Sequence, residues 1–256
     1  MIPGAQLYSI RAFTQNERDF ARSMKKVRSI GYRAVQISAV GSIPPQTLRN
    51  ICDDNELEIA LTHTDPERLR ANDEAVMRDH EIMGCRYIGM GSMPERYRST
   101  DWFPYFVEDY YPVCESFAHN GMKLMYHNHS FEWELCAGKE TLYHSLLRCF
   151  PPELLGITLD TYWVYYAGAD LSQTIRECAG RLQCVHFKDM VLVHDHPRYA
   201  PVGQGHGAIH FKSITEQLIA QGDTAYIFVE QDDCYGHSPF DCLQESYAFI
   251  VRECMR

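Results

Sequence analysis

Two imidazoles and a carboxylate stand within six residues in His127-Asn128-His129-Ser130-Phe131-Glu132, directly after the short apolar run Met122 to Tyr126. Three more candidate ligands each close an apolar run of their own: Asp160 in ITLD, His186 in VHF and Glu230 in IFVE. His63 follows a similar run, Lys188 and Asp189 come just after His186, and Asp232 comes just after Glu230. Mixed carboxylate oxygens and imidazole nitrogens suit one divalent cation: Mn2+, Zn2+, Co2+ or Fe2+, with Mg2+ also open. Each residue has an ordinary reading when taken singly. Asp160 before Thr161 suits an Asx-type cap, His186 a satisfied core histidine, Glu230 a solvated rim position and Asp189 a loop cap. Recurrence at the ends of consecutive strands favours one shared site.

Residues this far apart in sequence need a repeating scaffold to meet. Strand-like runs occur at Ala5–Ile10, Ala34–Ser38, Leu57–Thr62, Arg86–Gly89, Met122–Tyr126, Leu155–Leu159, Gln183–Phe187 and Ala225–Val229. Helical stretches alternate with them. The first places Phe20, Met24, Val27 and Ile30 on one face and stops at Gly31. Others run from Pro44-Pro45 to Asp54, Asn72 to Met83, Trp102 to His119, Lys139 to Cys149, Leu171 to Ala179 and Phe211 to Ala220. The last opens with Ser238 as N-cap, Pro239 at N1 and Asp241 at N3, and carries Leu243, Tyr247, Ile250 and Cys254 on one stripe. Runs such as LEIAL, YIGM and YIFV are apolar throughout, as parallel strands covered on both faces are. Eight such units without a linker predict a single (β/α)8 TIM-barrel domain over residues 1–256. A doubly wound sheet is the rival, but no GxGxxG follows the first strand.

The formal net charge of −10 argues against a nucleic-acid surface. Twelve Phe, 16 Tyr and 3 Trp in a chain that is 45% apolar supply a large core. Ten cysteines without a CxxC leave no thiolate zinc or thioredoxin-like motif. The start lacks a basic and apolar leader, and no run is long enough for a membrane span, so a cytoplasmic location is expected. Aromatic residues crowd the candidate site, among them Trp163, Tyr162 and Tyr235, and suit walls that exclude water or stack on a sugar ring. Pro201 to Gly205 offers backbone N–H groups and Gln204 to a polar substrate.

The segments YHNHSFEW, LDTYWV, HFKDM, APVGQG and VEQDDCYGHSPFDCLQESY resemble, in order and spacing, the sugar phosphate isomerase/epimerase-like group of the xylose isomerase-like TIM-barrel superfamily. The resemblance covers nearly the whole chain. It implies a (β/α)8 barrel and one divalent metal held by Glu132, Asp160, His186 and Glu230. Ketose 3-epimerases of the superfamily have a Glu at the end of the fifth strand itself, where this chain has Tyr126 or His127, so His127 or His129 is the alternative to Glu132. The implied activity is metal-dependent isomerisation or epimerisation of a small-molecule sugar or sugar derivative. Glu230 and Glu132 are the expected proton-transfer carboxylates. Lys188 is expected to polarise a hydroxyl or bind an anionic group, and His63, His127, His129, Trp163 and Gln204 to contact substrate. β-Elimination by a dehydratase or lyase is the alternative outcome of the same proton abstraction. An endonuclease IV-like enzyme would want three zinc ions and a basic face. From another class, a barrel that binds sugar without catalysis stays open, as does a homo-oligomer built on barrel-helix faces.

Overall fold

The computed structural model describes residues 1–136, 140–205 and 208–255. Eight parallel strands close a barrel: β1 Ile2–Gln6, β2 Ala34–Ile37, β3 Glu58–Thr62, β4 Tyr87–Met90, β5 Lys123–His127, β6 Leu155–Asp160, β7 Cys184–Phe187 and β8 Tyr226–Val229. Each strand pairs with its sequence neighbours, and β1 closes on β8 with Gly4 opposite Phe228. Helices follow the strands. The first, Glu17–Ile30, buries Phe20, Met24 and Val27 and stops at Gly31. In the last, Pro239–Phe249, the Ser238 hydroxyl accepts from Asp241 N. Among the described residues no helix is long and apolar enough to cross a membrane.

Apolar side chains divide between two places. The larger cluster fills the layer between strands and helices and includes Phe20, Leu124, Leu159 and Phe187. A smaller one, with Ala34, Tyr87, Met125, Cys184, Tyr226 and Phe228, plugs the barrel interior. Strand side chains alternate between these layers. Positions two residues beyond the plug therefore point inward at the C-terminal mouth. From Met125, Cys184 and Phe228 that step reaches His127, His186 and Glu230.

Three local features differ from the expectation raised by residue patterns. The first strand ends at Gln6, because Gln6 Oε1 accepts from Tyr8 N at 2.6 Å and turns Leu7–Phe13 into a 3-10 helix. The helix expected from Lys139 spans Leu142–Cys149, where Thr141 Oγ1 accepts from His144 N at 3.2 Å; Lys139 itself lies outside the described residues. The long connection after β7 contains an antiparallel hairpin, Asp189–Val193 with His196–Ala200. Its tip residues His194 and Asp195 have φ of 51° and 62°. Tight hairpin turns of this kind usually carry a glycine, and this tip has none.

Gly4 shows how closely the plug is fitted. A Cβ at this position would lie 2.6 Å from two ring carbons of Phe228. Gly4→Val should therefore destabilise the barrel by about 1–3 kcal/mol through overpacking. Urea unfolding checks this: a lower midpoint with unchanged slope is expected, and an unchanged midpoint would contradict the close fit.

Candidate metal centre

The strand ends are brought together by register. Asp160 on β6 lies opposite His186 on β7, and His186 lies opposite Phe228 on β8, two residues before Glu230. On the other side, His127 of β5 pairs with Thr158, two residues before Asp160. His127, Asp160, His186 and Glu230 are all buried, and each offers one ligand atom within 4.8 Å of the others. His127 Nε2 is 3.4 Å from Asp160 Oδ2 and 3.9 Å from Glu230 Oε2. His186 Nδ1 is 2.9 Å from Glu230 Oε2 and 3.9 Å from Asp160 Oδ2.

The second polar atom of each residue is anchored elsewhere. His127 Nδ1 donates to Gly91 O at 2.9 Å, and Nε2 faces the group 3.4 Å from Asp160 Oδ2. His186 Nε2 lies 2.6 Å from Gln36 Oε1, and Nδ1 faces the group in hydrogen-bond contact with Glu230 Oε2 at 2.9 Å. Asp160 Oδ1 accepts from Trp163 N at 3.0 Å, and Glu230 Oε1 accepts from Gln6 Nε2 at 2.9 Å. The cap reading of Asp160 and the ligand reading are thus compatible, because one oxygen serves each. Two carboxylate oxygens and two imidazole nitrogens face one another, and imidazole nitrogens ligate a metal in their deprotonated form. With metal–ligand bonds of about 2.0–2.2 Å, neighbouring donors lie about 3 Å or somewhat more apart, so this donor set fits a divalent cation. Anchored outer nitrogens are also how metal-binding imidazoles are oriented.

Lys188 completes the electrostatics. Its buried ammonium is 2.7 Å from Asp232 Oδ2, 3.6 Å from Glu230 Oε2 and 3.8 Å from Asp160 Oδ2. Burial opposes ionisation of Glu230, but Lys188 and His186 beside it hold the carboxyl well below the usual range. Asp232 is shifted upward by burial and by the charge of Glu230. The ammonium also lies 5.3 Å from the Trp163 ring centroid and 5.1 Å from that of Tyr199, in cation–π range.

Glu132, expected as the first ligand, does not join the group. It sits on the 3-10 turn Phe131–Trp133, which folds its side chain back on its own strand. Oε1 accepts from Tyr126 OH at 2.7 Å and Oε2 from His129 N at 2.9 Å. Burial pushes this carboxyl up to about 7. His127 occupies the β5 corner instead.

His63, His129 and Trp163 line the same centre. The His63 ring lies 5.2 Å from His127 and 5.7 Å from His186, and the His129 ring lies 4.9 Å from His127 and 5.3 Å from Trp163. Burial lowers the pKa of both imidazoles, that of His129 to about 2, so both are neutral. His63 Nε2, His129 Nδ1 and Trp163 Nε1 are buried with no hydrogen-bond partner among the described residues. Unpaired buried polar atoms around a charged cluster suit contacts to ligand hydroxyls.

Gln204 is elsewhere. It lines a cavity of about 690 Å³ beside the hairpin. The backbone donors of its loop are already used, since Gly203 N and Gly205 N donate to Asp189 Oδ2 at 2.8 and 2.9 Å. Asp189 therefore caps this loop, as its sequence position suggests. Sequence reasoning missed Gln6, Gln36 and Asn128, which anchor Glu230, His186 and the Asp160 backbone. A lone Gln inside each of two otherwise apolar strands was the available signal.

The model of the xylose isomerase-like TIM-barrel family matches residues 24–250. No curated protein matches the sequence. Among solved structures, a sugar phosphate isomerase/epimerase from Parabacteroides distasonis ATCC 8503 is 20% identical with a TM-score of 0.83, covering 98% of each chain. A probable 3-DHS dehydratase from Bacillus anthracis is 16% identical with a TM-score of 0.73, covering 98% of this chain and 99% of that one. An L-ribulose 3-epimerase is 15% identical with a TM-score of 0.75, covering 99% of this chain and 94% of that one. At these identities the likeness is one of fold.

Two outcomes test the centre. His127→Ala should weaken Mn2+ binding by at least about 10-fold in calorimetry, more than Glu132→Gln does; the reverse order would return Glu132 to the ligand set. Glu132 also sets a pH dependence. Its folded carboxyl ionises near 7 rather than 4.5, so the folded state holds more protons between those values. Stability should therefore fall as pH rises through that window, by about 3 kcal/mol from this residue. Urea unfolding at pH 5 and pH 8 should show Glu132→Gln gaining on the parent protein at the higher pH; a pH-independent difference would contradict the buried carboxyl.

Proposed function

This chain belongs to the xylose isomerase-like TIM-barrel family, and from that premise we propose that it is a metal-dependent sugar isomerase or epimerase. The observation that carries this reading is the convergence of His127, Asp160, His186 and Glu230 on one buried point at the barrel mouth. Active sites of (β/α)8 enzymes lie on this face. A divalent cation held by these four residues would polarise a substrate carbonyl and stabilise negative charge on its oxygen.

The side chains supply the rest. Glu230 is the proposed base for the C–H beside the carbonyl, held ionised by Lys188 and His186. Lys188, 3.6 Å from that carboxylate, would donate to a substrate oxygen. His63, His129 and Trp163 would contact hydroxyls through their unpaired ring nitrogens. The aromatic wall around Trp163 and Tyr199 would keep water from the deprotonated carbon.

One observation favours dehydratase or lyase chemistry as the second reading. Glu132 faces Tyr126 and His129 rather than the group, so Glu230 lacks a carboxylate partner from the β5 end for two-base epimerisation. A single base with the Lys188 ammonium as acid suits elimination or one-face isomerisation.

Proton exchange tests the proposal. Candidate ketoses and aldoses incubated in D2O with Mn2+-loaded protein should acquire deuterium beside the carbonyl, read by NMR. Glu230→Gln should reduce that rate by about 10²–10⁴-fold. Exchange that survives the substitution would remove Glu230 as base, and loss of water from the substrate would select the second reading.

A further inference from the structure

The cavity beside the hairpin has features that the metal centre does not use. It measures about 690 Å³, within the range of small-molecule sites. Its walls come from three places: the hairpin and the loop directly after it, with Arg198, Tyr199 and Gln204; the segment after β8, with Gln231 and Tyr235; and the last helix, with Asp241 and Glu245. Gln231 is 4% exposed, and its Oε1 is buried with no hydrogen-bond partner among the described residues. Its Nε2 is occupied by Asp233 O at 3.0 Å. An amide oxygen left buried and unpaired in a residue that lines a cavity is uncommon unless a water or an occupant reaches it.

Two residues join the cavity to the metal centre. Gln231 directly follows Glu230 in the chain. Tyr199 lines the cavity while its ring also lies 5.1 Å from Lys188 Nζ, which in turn is 3.6 Å from Glu230. Tyr199 and Tyr235 are tied to each other, since Tyr199 N donates to Tyr235 OH at 3.2 Å. The lining combines aromatic faces with carboxylate and amide acceptors. Ring C–H faces stack on the former, and hydroxyl donors meet the latter. Two carboxylates, Asp241 and Glu245, outnumber the Arg198 guanidinium, which lies 5.0 Å from the Tyr235 ring centroid, and this balance disfavours a phosphate or carboxylate occupant.

We infer that this cavity is a subsite for a second, uncharged sugar ring. The substrate is then a glycoside or disaccharide whose reacting ring lies at the four-residue centre and whose next ring rests against Tyr199, Tyr235 and Gln231. This rests on the proposed sugar chemistry for the first ring, but its own test needs no turnover.

Equilibrium binding to the 256-residue chain, with and without Mn2+, is measured by calorimetry and saturation-transfer NMR. The probes are methyl β-glucoside, p-nitrophenyl β-glucoside, cellobiose, maltose, lactose and sucrose. At least one disaccharide should bind about 10-fold more tightly than the methyl glycoside. Tyr235→Ala and the surface change Glu245→Ala should each remove most of that advantage, and Val193→Trp should remove it by filling the space. The inference is overturned if no disaccharide gains over the methyl glycoside. It is also overturned if the aryl glucoside gains equally and Glu245→Ala has no effect, because the cavity would then read apolar surface rather than hydroxyls. Disaccharide binding that persists in a protein inactive in D2O exchange would uphold the subsite and count against the proposed reaction.

Discussion

Everything at the barrel mouth answers to one constraint: two carboxylates and two imidazoles face each other where water is excluded. Two like charges about 4 Å apart repel by about 4 kcal/mol at an effective dielectric of 20. The Asp160 and Glu230 carboxylates are packed near that scale, with an oxygen of each within 4.8 Å of the other. The Lys188 ammonium, within 4 Å of both carboxylates, offsets part of this repulsion. A divalent cation accepted by all four atoms would offset more. The faces of Trp163 and Tyr199 in turn help to keep that ammonium charged inside the protein.

Holding such a group requires the closed barrel rather than any one strand. Gln6, at the end of the first strand, binds Glu230 just beyond the last, across 224 positions of sequence. Gln36 on β2 anchors His186 on β7 across the barrel interior. Gly91, following β4, fixes the His127 tautomer. Asn128 receives Asp160 N and ties β5 to β6. Opening the barrel at β1 and β8 would free Glu230 to rotate away, which couples the geometry of the centre to global stability.

Much of this was legible from residue order. Asp160, His186 and Glu230 were visible because strand ends in a barrel must converge, and each closes an apolar run. The eight-unit alternation identified the barrel for a related reason, since parallel strands need a covering helix between them. Glu132 was not legible. Its direction depends on a short turn after β5 and on the Tyr126 hydroxyl, neither of which has a spacing signature, and the family resemblance drew attention to a glutamate. The hairpin after β7 was hidden by a His194-Asp195 tip without the usual glycine. The cavity beside it was hidden with it, since its walls come from three separate segments.

The central claim is that two imidazoles, His127 and His186, share the metal with Asp160 and Glu230. Electron spin-echo envelope modulation of the Mn2+-loaded protein, with histidine labelled by 15N, counts coordinated imidazole nitrogens directly. The account predicts coupling to two histidine nitrogens in the parent protein and to one in His127→Ala. Coupling to a single nitrogen in the parent, unchanged by that substitution, would contradict it.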